Sequence, residues 1–228
     1  MSDKELRQEA FEIAKLFNDK EVSDEEIISR IEAVPEVIQV QLPSTSNLFL
    51  DSVRTERFEI TKVLVKMGAD IHLQCKPSLI SGNALNVACS PEQAEYLLSL
   101  GIEIEKNLSV REDFVNPAIM AVSHNDKRMV LYWLNKQKTL FSQEKDFIDA
   151  LIYETIYQVT VMNQYDMLAC VMADDELYPV LKEVYRKEDD KSSIKLKLRS
   201  LKQITEKDLD VRKKELQKIL NEVKKSLA

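Results

Sequence analysis

Gly68-Ala69-Asp70-Ile71 returns 33 residues later as Gly101-Ile102-Glu103-Ile104. Each copy follows an apolar run, which is Val63-Leu64-Val65 in the first case and Tyr96-Leu97-Leu98 in the second. A sequence period of about 20–50 residues is typical of repeat proteins, in which each unit buries its apolar face against neighbouring units. The period therefore predicts that the middle of this chain is built from similar, stacked units.

The composition favours helices over strands. The chain has 228 residues but only 3 glycines and 6 prolines, whereas an all-β fold needs a tight turn about every 8–12 residues. The polar N-terminus is not followed by an apolar signal segment, and no run of about 18 apolar residues occurs. We therefore expect a cytoplasmic protein that does not span a membrane.

The net charge of -7 is unevenly distributed along the chain. Positions 1–181 contain 17 basic and 30 acidic residues, a balance of -13, and positions 182–228 contain 15 basic and 9 acidic residues, a balance of +6. This asymmetry indicates an acidic body with a basic C-terminal extension.

The N-terminal residues predict a helical hairpin. Apolar residues between Lys4 and Asn18 recur at helical spacing. Ser23 and Glu26 have the spacing of a capping box, which predicts a second helix that ends before Pro35. Residues 1–46 are therefore either an N-terminal helical cap or a degenerate repeat.

Three similar units follow, and each opens with an asparagine, which is a favoured N-cap residue. These residues are Asn47, Asn83 and Asn116. The predicted first helices are Leu48–Val53, Ala84–Cys89 and Pro117–Val122, and the predicted second helices are Ile60–Val65, Ala94–Leu98 and Met129–Leu134.

These units resemble ankyrin repeats, most plainly over residues 47–135. Asn116-Pro117-Ala118-Ile119-Met120-Ala121 is similar to the family pattern Thr-Pro-Leu-His-x-Ala, and Asn83-Ala84-Leu85-Asn86-Val87-Ala88 is similar too. The motif histidine is replaced by Leu50, Asn86 and Ile119, so its buried hydrogen bonds are either missing or replaced. The glycine between paired helices is Glu56 in one unit and Asn125 in another, and asparagine tolerates the left-handed backbone that this glycine adopts.

The resemblance implies an all-α, ankyrin-like helical-repeat solenoid with degenerate hairpin loops and a C-terminal helical extension. We assign residues 1–187 to the solenoid, with central repeats at 47–146 and closing helices at 147–187. Residues 188–228 form the charged extension. There, Leu209, Leu216 and Val223 fall seven residues apart with Leu220 beside them. This seam either folds back on the body or forms a homodimer; nucleic-acid or membrane binding is disfavoured by interleaved acidic residues.

The resemblance also implies a non-catalytic protein–protein interaction module that uses a concave groove and loop tips. Mapped onto this sequence, the groove residues are Arg54, Thr55, Leu79, Ile80, Ser90, Glu112, Asp113, Val115, Ser123 and His124. The adjacent aliphatic residues Leu79 and Ile80 either pack inward or anchor the partner. Acidic residues on the same rim favour a basic partner.

No catalytic motif points to an enzyme. The sequence contains no phosphate-binding glycine loop and no Gly-x-Ser-x-Gly. His72 and Cys75 make only half of a tetrahedral metal site, so we expect neither metal nor cofactor. Three alternatives stay open: an inhibitor or immunity-type protein that occludes a basic toxin or enzyme, an oligomeric structural protein, and an enzyme that uses a thiol with His124.

Overall fold

The computed structural model describes residues 1–42, 46–73, 82–109 and 115–162, together with residues 164, 167, 174, 177, 179, 186 and 221. These residues form helices and no strand, which confirms the predicted all-α class. The chain divides into two compact units, residues 1–116 and residues 117–228. The tips of the predicted hairpin loops, at 74–81 and 110–114, lie outside the described residues, as do Leu209, Leu216, Leu220 and Val223.

The first unit contains three consecutive pairs of helices. They are α1 (Asp3–Leu16), α2 (Asp24–Ala33), a 3-10 helix (Pro35–Gln39), α3 (Leu48–Arg54), α4 (Phe58–Lys66), α5 (Ala84–Val87) and α6 (Pro91–Ser99). The two helices of each pair contact each other. In addition, α3 contacts both α1 and α5, and α4 contacts α2. Each pair is thereby joined to the next pair along the chain.

Left-handed glycines end two helices of the first unit in the same way. Gly68 after α4 and Gly101 after α6 have φ values of 85° and 84°. The Gly68 N–H donates to the carbonyl of Val65, and the Ala69 N–H donates to that of Leu64, both at 3.0 Å. This pair of bonds is the Schellman motif, which satisfies carbonyls that the helix leaves unpaired. The repeated glycines are therefore helix stops.

The same motif is built without glycine at two other helix ends. Glu56 follows α3 with a φ of 60°, and Asn125 lies between the first two helices of the second unit with a φ of 55°. The Glu56 N–H donates to Val53 and the next N–H, of Arg57, to Ser52. Both residues therefore have a left-handed backbone, which asparagine tolerates and glutamate rarely adopts.

Two asparagines tie a helix start to the loop that ends the same helix pair. The Asn47 side chain accepts from the N–H of Leu50 at 2.8 Å, and its Nδ2 donates to the carbonyl of Asp70 at 3.1 Å. Asn83 makes the equivalent bonds, since its Nδ2 donates to the carbonyl of Glu103 at 2.9 Å. Asp70 and Glu103 occupy the same position in the two copies of the 33-residue repeat. The period in sequence thus corresponds to a repeated hydrogen bond.

A third asparagine replaces the motif histidine in one pair. Asn86 is 4% exposed. Its Nδ2 donates to the carbonyl of Val115, and its Oδ1 accepts from the N–H of Asn83 at 3.0 Å. At the other two histidine positions, Leu50 and Ile119 are buried apolar side chains. The buried side-chain hydrogen bond that the motif histidine usually makes to a neighbouring loop is therefore replaced at Asn86 and missing at Leu50 and Ile119.

The second unit is described over α7 (Pro117–Ser123), α8 (Lys127–Leu140) and α9 (Lys145–Val161). Helix α7 contacts both α8 and α9, and α8 contacts α9. Trp133 is only 1% exposed and packs edge-to-face on Tyr132, with ring centroids 4.9 Å apart. Trp133 therefore belongs to the core of this unit, as its helical register predicts.

Three local predictions were wrong. Helix α5 ends at Val87 rather than Cys89, because the Cys89 N–H donates to the Gln93 side chain instead of a helical carbonyl. Helix α8 continues beyond the predicted Leu134 to Leu140. The predicted capping box at Ser23 is half formed, whereas a complete one joins Ser2 and Glu5.

Within the described residues, the helices are too short or too polar to cross a membrane.

Replacing Asn47 by aspartate keeps the N-cap bond to Leu50 and removes the bond to the carbonyl of Asp70. Aspartate is an equally good N-cap, but it has no donor for the carbonyl of Asp70. We expect Asn47→Asp to lower the free energy of unfolding by about 1–3 kcal/mol, measured by urea unfolding followed by circular dichroism. Ser23→Asp is the matched control, since it changes a cap without such a bond, and should stay within about 0.5 kcal/mol. Equal effects of the two changes would contradict the role given to this bond.

Replacing Glu56 by glycine relieves a strained backbone. A non-glycine residue in the left-handed region costs roughly 1–2 kcal/mol, so Glu56→Gly should raise the free energy of unfolding by about 1 kcal/mol. The control Glu59→Gly makes the same chemical change inside α4 and should lower it by about 1 kcal/mol. A destabilising Glu56→Gly change, in the same unfolding assay, would show that φ at this position is not strained.

Candidate functional site

Three of the predicted groove residues lie close together in the first unit. Arg54 and Thr55 end α3, and Ser90 caps the start of α6. The Cys89 thiol donates to the carbonyl of Arg54 at 3.5 Å, and the Gln93 side chain donates to the carbonyl of Val53 at 3.0 Å. The end of α3 and the loop before α6 are therefore held against each other, which brings Arg54 and Thr55 beside Ser90.

The other predicted groove residues are placed differently. Val115 is 3% exposed, so the prediction that its side chain faces a partner was wrong; its carbonyl accepts the Asn86 bond that fixes this segment inside the unit. Ser123 and His124 are exposed at the end of α7, in the second unit. Leu79, Ile80, Glu112 and Asp113 lie outside the described residues.

An open cleft of about 600 Å³ adjoins the end of α3, and we call it the Arg54 cleft. It is lined by Phe17, Asn18, Lys20, Arg54, Thr55 and Arg57. Two of these residues, Arg54 and Thr55, are among the predicted groove residues. The other four come from the end of α1, the segment that follows it, and the start of α4. Among the lining residues that the structure describes, three side chains are cationic and none is a carboxylate.

Arg57 holds the end of the first helix pair in place. Its Nε donates to the carbonyl of Phe17 at 3.1 Å, and its Nη1 donates to the carbonyl of Val22 at 3.0 Å and to Asp24 Oδ1 at 2.7 Å. Its Nη2 donates to the carbonyl of Asp19. The carbonyls at a helix C-terminus carry partial negative charge, which a guanidinium neutralises. We call this set of bonds the Arg57 clamp.

Arg54 is positioned by a buried carboxylate. Its Nη2 donates to Asp51 Oδ1 at 2.9 Å, and the Ser46 hydroxyl donates to the same oxygen at 2.9 Å. Burial raises the pKa of Asp51 above its ordinary value, while the Ser46 hydrogen bond and the charge of Arg54 oppose that rise. The Arg54 side chain itself is 47% exposed. Asp51 therefore anchors one edge of a guanidinium whose other edge faces solvent.

The residues considered for catalysis show other roles. Cys89 is half-buried, and its thiol donates to the carbonyls of Arg54 and Val87. His72 is exposed and its N–H donates to Asp70 Oδ1 at 3.0 Å. In the described ranges, no three His, Cys, Asp or Glu side chains are grouped so that they could hold a metal ion. Cys75 and Cys170 lie outside these ranges.

Sequence reasoning missed Phe17, Lys20 and Arg57 as neighbours of the groove residues. Phe17 and Lys20 lie 37 and 34 positions before Arg54, and Arg57 lies three positions after it. The repeat pattern assigns no role to any of them. The one local signal for Arg57 is that it directly follows Glu56, whose left-handed backbone turns the chain from α3 into α4.

No protein-family model, no curated protein and no solved structure matches the chain. The resemblance to ankyrin repeats therefore stays a prediction from the sequence. The geometry that bears on it is the pair of asparagine bonds and the left-handed helix stops.

The contribution of the Arg57 clamp to the free energy of unfolding can be compared with that of a more exposed ion pair. Arg57→Gln leaves several carbonyls without their donor and should lower the free energy of unfolding by about 1–3 kcal/mol. Arg30→Gln removes a more exposed pair with Glu9, at 2.6 Å, and should cost less than about 1 kcal/mol. Urea unfolding of both variants makes the comparison. A loss for Arg57→Gln no larger than that for Arg30→Gln would contradict the clamp.

Proposed function

We propose that this protein is a non-catalytic, ankyrin-like repeat protein that binds a protein partner through the face formed by Arg54, Thr55 and Ser90. We call these three residues the α3–α6 face. The observation that carries the proposal is the adjacency of the α3 end and the α6 start, fixed by the Cys89 and Gln93 bonds. In ankyrin-like arrays, neighbouring first helices and loop tips line the binding groove.

The repeated backbone geometry supports the ankyrin-like arrangement. Asn47 and Asn83 each bond to the acidic position of a Gly-x-(Asp/Glu)-Ile segment, and both segments begin with a left-handed glycine. Successive first helices α1, α3 and α5 contact in order. A rigid scaffold of this kind holds exposed loop residues at fixed spacing, which lowers the entropy lost on binding a partner.

The acidic charge of the first unit favours one particular version of this function. Residues 1–116 contain 12 basic and 21 acidic side chains, a balance of -9. A field of this sign attracts basic proteins over long distances. The alternative proposal is therefore an inhibitor or immunity-type protein that occludes a basic toxin or enzyme.

The test measures the Kd for a partner protein. The partner is first isolated by affinity capture from the native cell extract and then purified. Arg54→Ala combined with Ser90→Asp changes the α3–α6 face but retains an N-cap for α6. Alanine scans of interfaces show that a few central residues dominate the affinity, so we expect a rise in Kd of tenfold or more, on the order of 1.4 kcal/mol.

The matched control is Lys66→Ala combined with Ser23→Asp, which makes the same chemical changes on α4 and α2. It should leave Kd unchanged. Circular dichroism of both double variants establishes that each remains folded. Equal Kd values for the native protein and the α3–α6 face variant would contradict the assignment of this face.

A further inference from the structure

The Arg54 cleft differs in charge from the unit that contains it. Its described lining residues include Lys20, Arg54 and Arg57 and no carboxylate, while residues 1–116 have a balance of -9. The two carboxylates bonded to these cations, Asp51 and Asp24, are not among the lining residues. The cleft is therefore a cationic concavity in an acidic surface.

The cations of the cleft are held before any ligand arrives. The Arg57 clamp engages its guanidinium with three carbonyls and Asp24, so Arg57 contributes a fixed charge. Arg54 is bonded through Nη2 to Asp51, and within the described residues its other N–H groups make no hydrogen bond. Lys20 is exposed beside them. Arg54 and Lys20 thus supply the donors that a ligand could use.

We infer that the Arg54 cleft binds acidic side chains, glutamate or aspartate, of the polypeptide partner. Carboxylates, like phosphates, match an arginine fork and a lysine ammonium, and charge-assisted bonds of this kind are the strong ones. A polypeptide partner offers carboxylates on its glutamate and aspartate side chains. A volume of about 600 Å³ accommodates more than a single carboxylate. The donors are side chains, whereas capture of a chain terminus typically uses a nest of backbone N–H groups.

Direct contacts in the cleft are screened by salt less than the net charge of the unit is. At physiological ionic strength the Debye length is about 8 Å, so carboxylates farther than this from Arg54 are largely screened from a ligand in contact with it, whereas Asp51 and Asp24, bonded to Arg54 and Arg57 at 2.9 Å and 2.7 Å, are not. A charge-assisted hydrogen bond is made at about 2.7–2.9 Å and is screened much less. The ligand chemistry is therefore set by the lining rather than by the net charge.

The inference rests on the proposed function and names the part of the partner that enters the cleft. The test is titration of the ¹⁵N-labelled full chain with N-acetyl-tetraglutamate amide at physiological ionic strength, followed by amide chemical shifts. We expect saturable shifts at Asn18, Lys20, Arg54 and Thr55, and none with the tetraglutamine amide. Lys20→Gln combined with Arg54→Gln should raise Kd by about fivefold or more.

The control Lys4→Gln combined with Arg7→Gln removes two cations from another open cleft, on α1, which also contains Asp3. It should leave the titration unchanged. Absence of shifts, shifts confined to other residues, or an unchanged Kd in the Lys20 and Arg54 variant would overturn the inference. A response only to tetraglutamine with a free C-terminal carboxylate, or only to a thymidine tetranucleotide, would also overturn it and assign the cleft to a chain terminus or to phosphate.

The single change Lys20→Gln separates this inference from the proposed function, since Lys20 is outside the α3–α6 face. A partner lost in the face variant but bound equally by Lys20→Gln, together with no response to tetraglutamate, would overturn the inference and leave the function standing. A response to tetraglutamate with no effect of the face variant on partner binding would overturn the proposed function and, with it, the assignment of the cleft to side chains of the partner.

Discussion

A buried asparagine that must satisfy both its oxygen and its amide is the constraint on which the first unit depends. Asn47 and Asn83 are 4% and 8% exposed, so neither can exchange its bonds for water. Each uses its oxygen to begin a helix and its amide to hold the loop that ends the same pair. In these two cases one residue fixes both ends of a helix pair, whereas the Nδ2 of Asn116 donates to the carbonyl of Glu105, which precedes it in the chain.

Sequence reasoning succeeded where the determinants are local. Helix starts at asparagine and the left-handed backbone of Asn125 follow from residues within one turn of the feature. It failed where a distant group competes with the local preference. The side chain of Gln93 takes the Cys89 N–H and shortens α5, and the bond between Asn86 and Val115 spans 29 positions and draws Val115 into the interior.

The candidate site was predictable only in part for the same reason. Arg54, Thr55 and Ser90 are read from the resemblance to a repeat family, because they recur at loop positions. The Arg54 cleft is completed by Phe17, Asn18 and Lys20, which precede the central repeats, and by Arg57, and these residues meet through the Arg57 clamp. A surface assembled from a repeat and its flanking helices has no periodic signature. Its charge, opposite to that of the unit, emerges only when the lining residues are seen together.

The Arg57 clamp also bears on how the N-terminal part of the chain comes apart. One guanidinium, at the start of α4, bonds four groups on the segment 17–24. Release of this segment from α4 would break all four bonds together, and it would leave the Arg57 side chain and Asp24 without each other. The Arg57 clamp therefore couples local opening of the segment between α1 and α2 to opening at the start of α4.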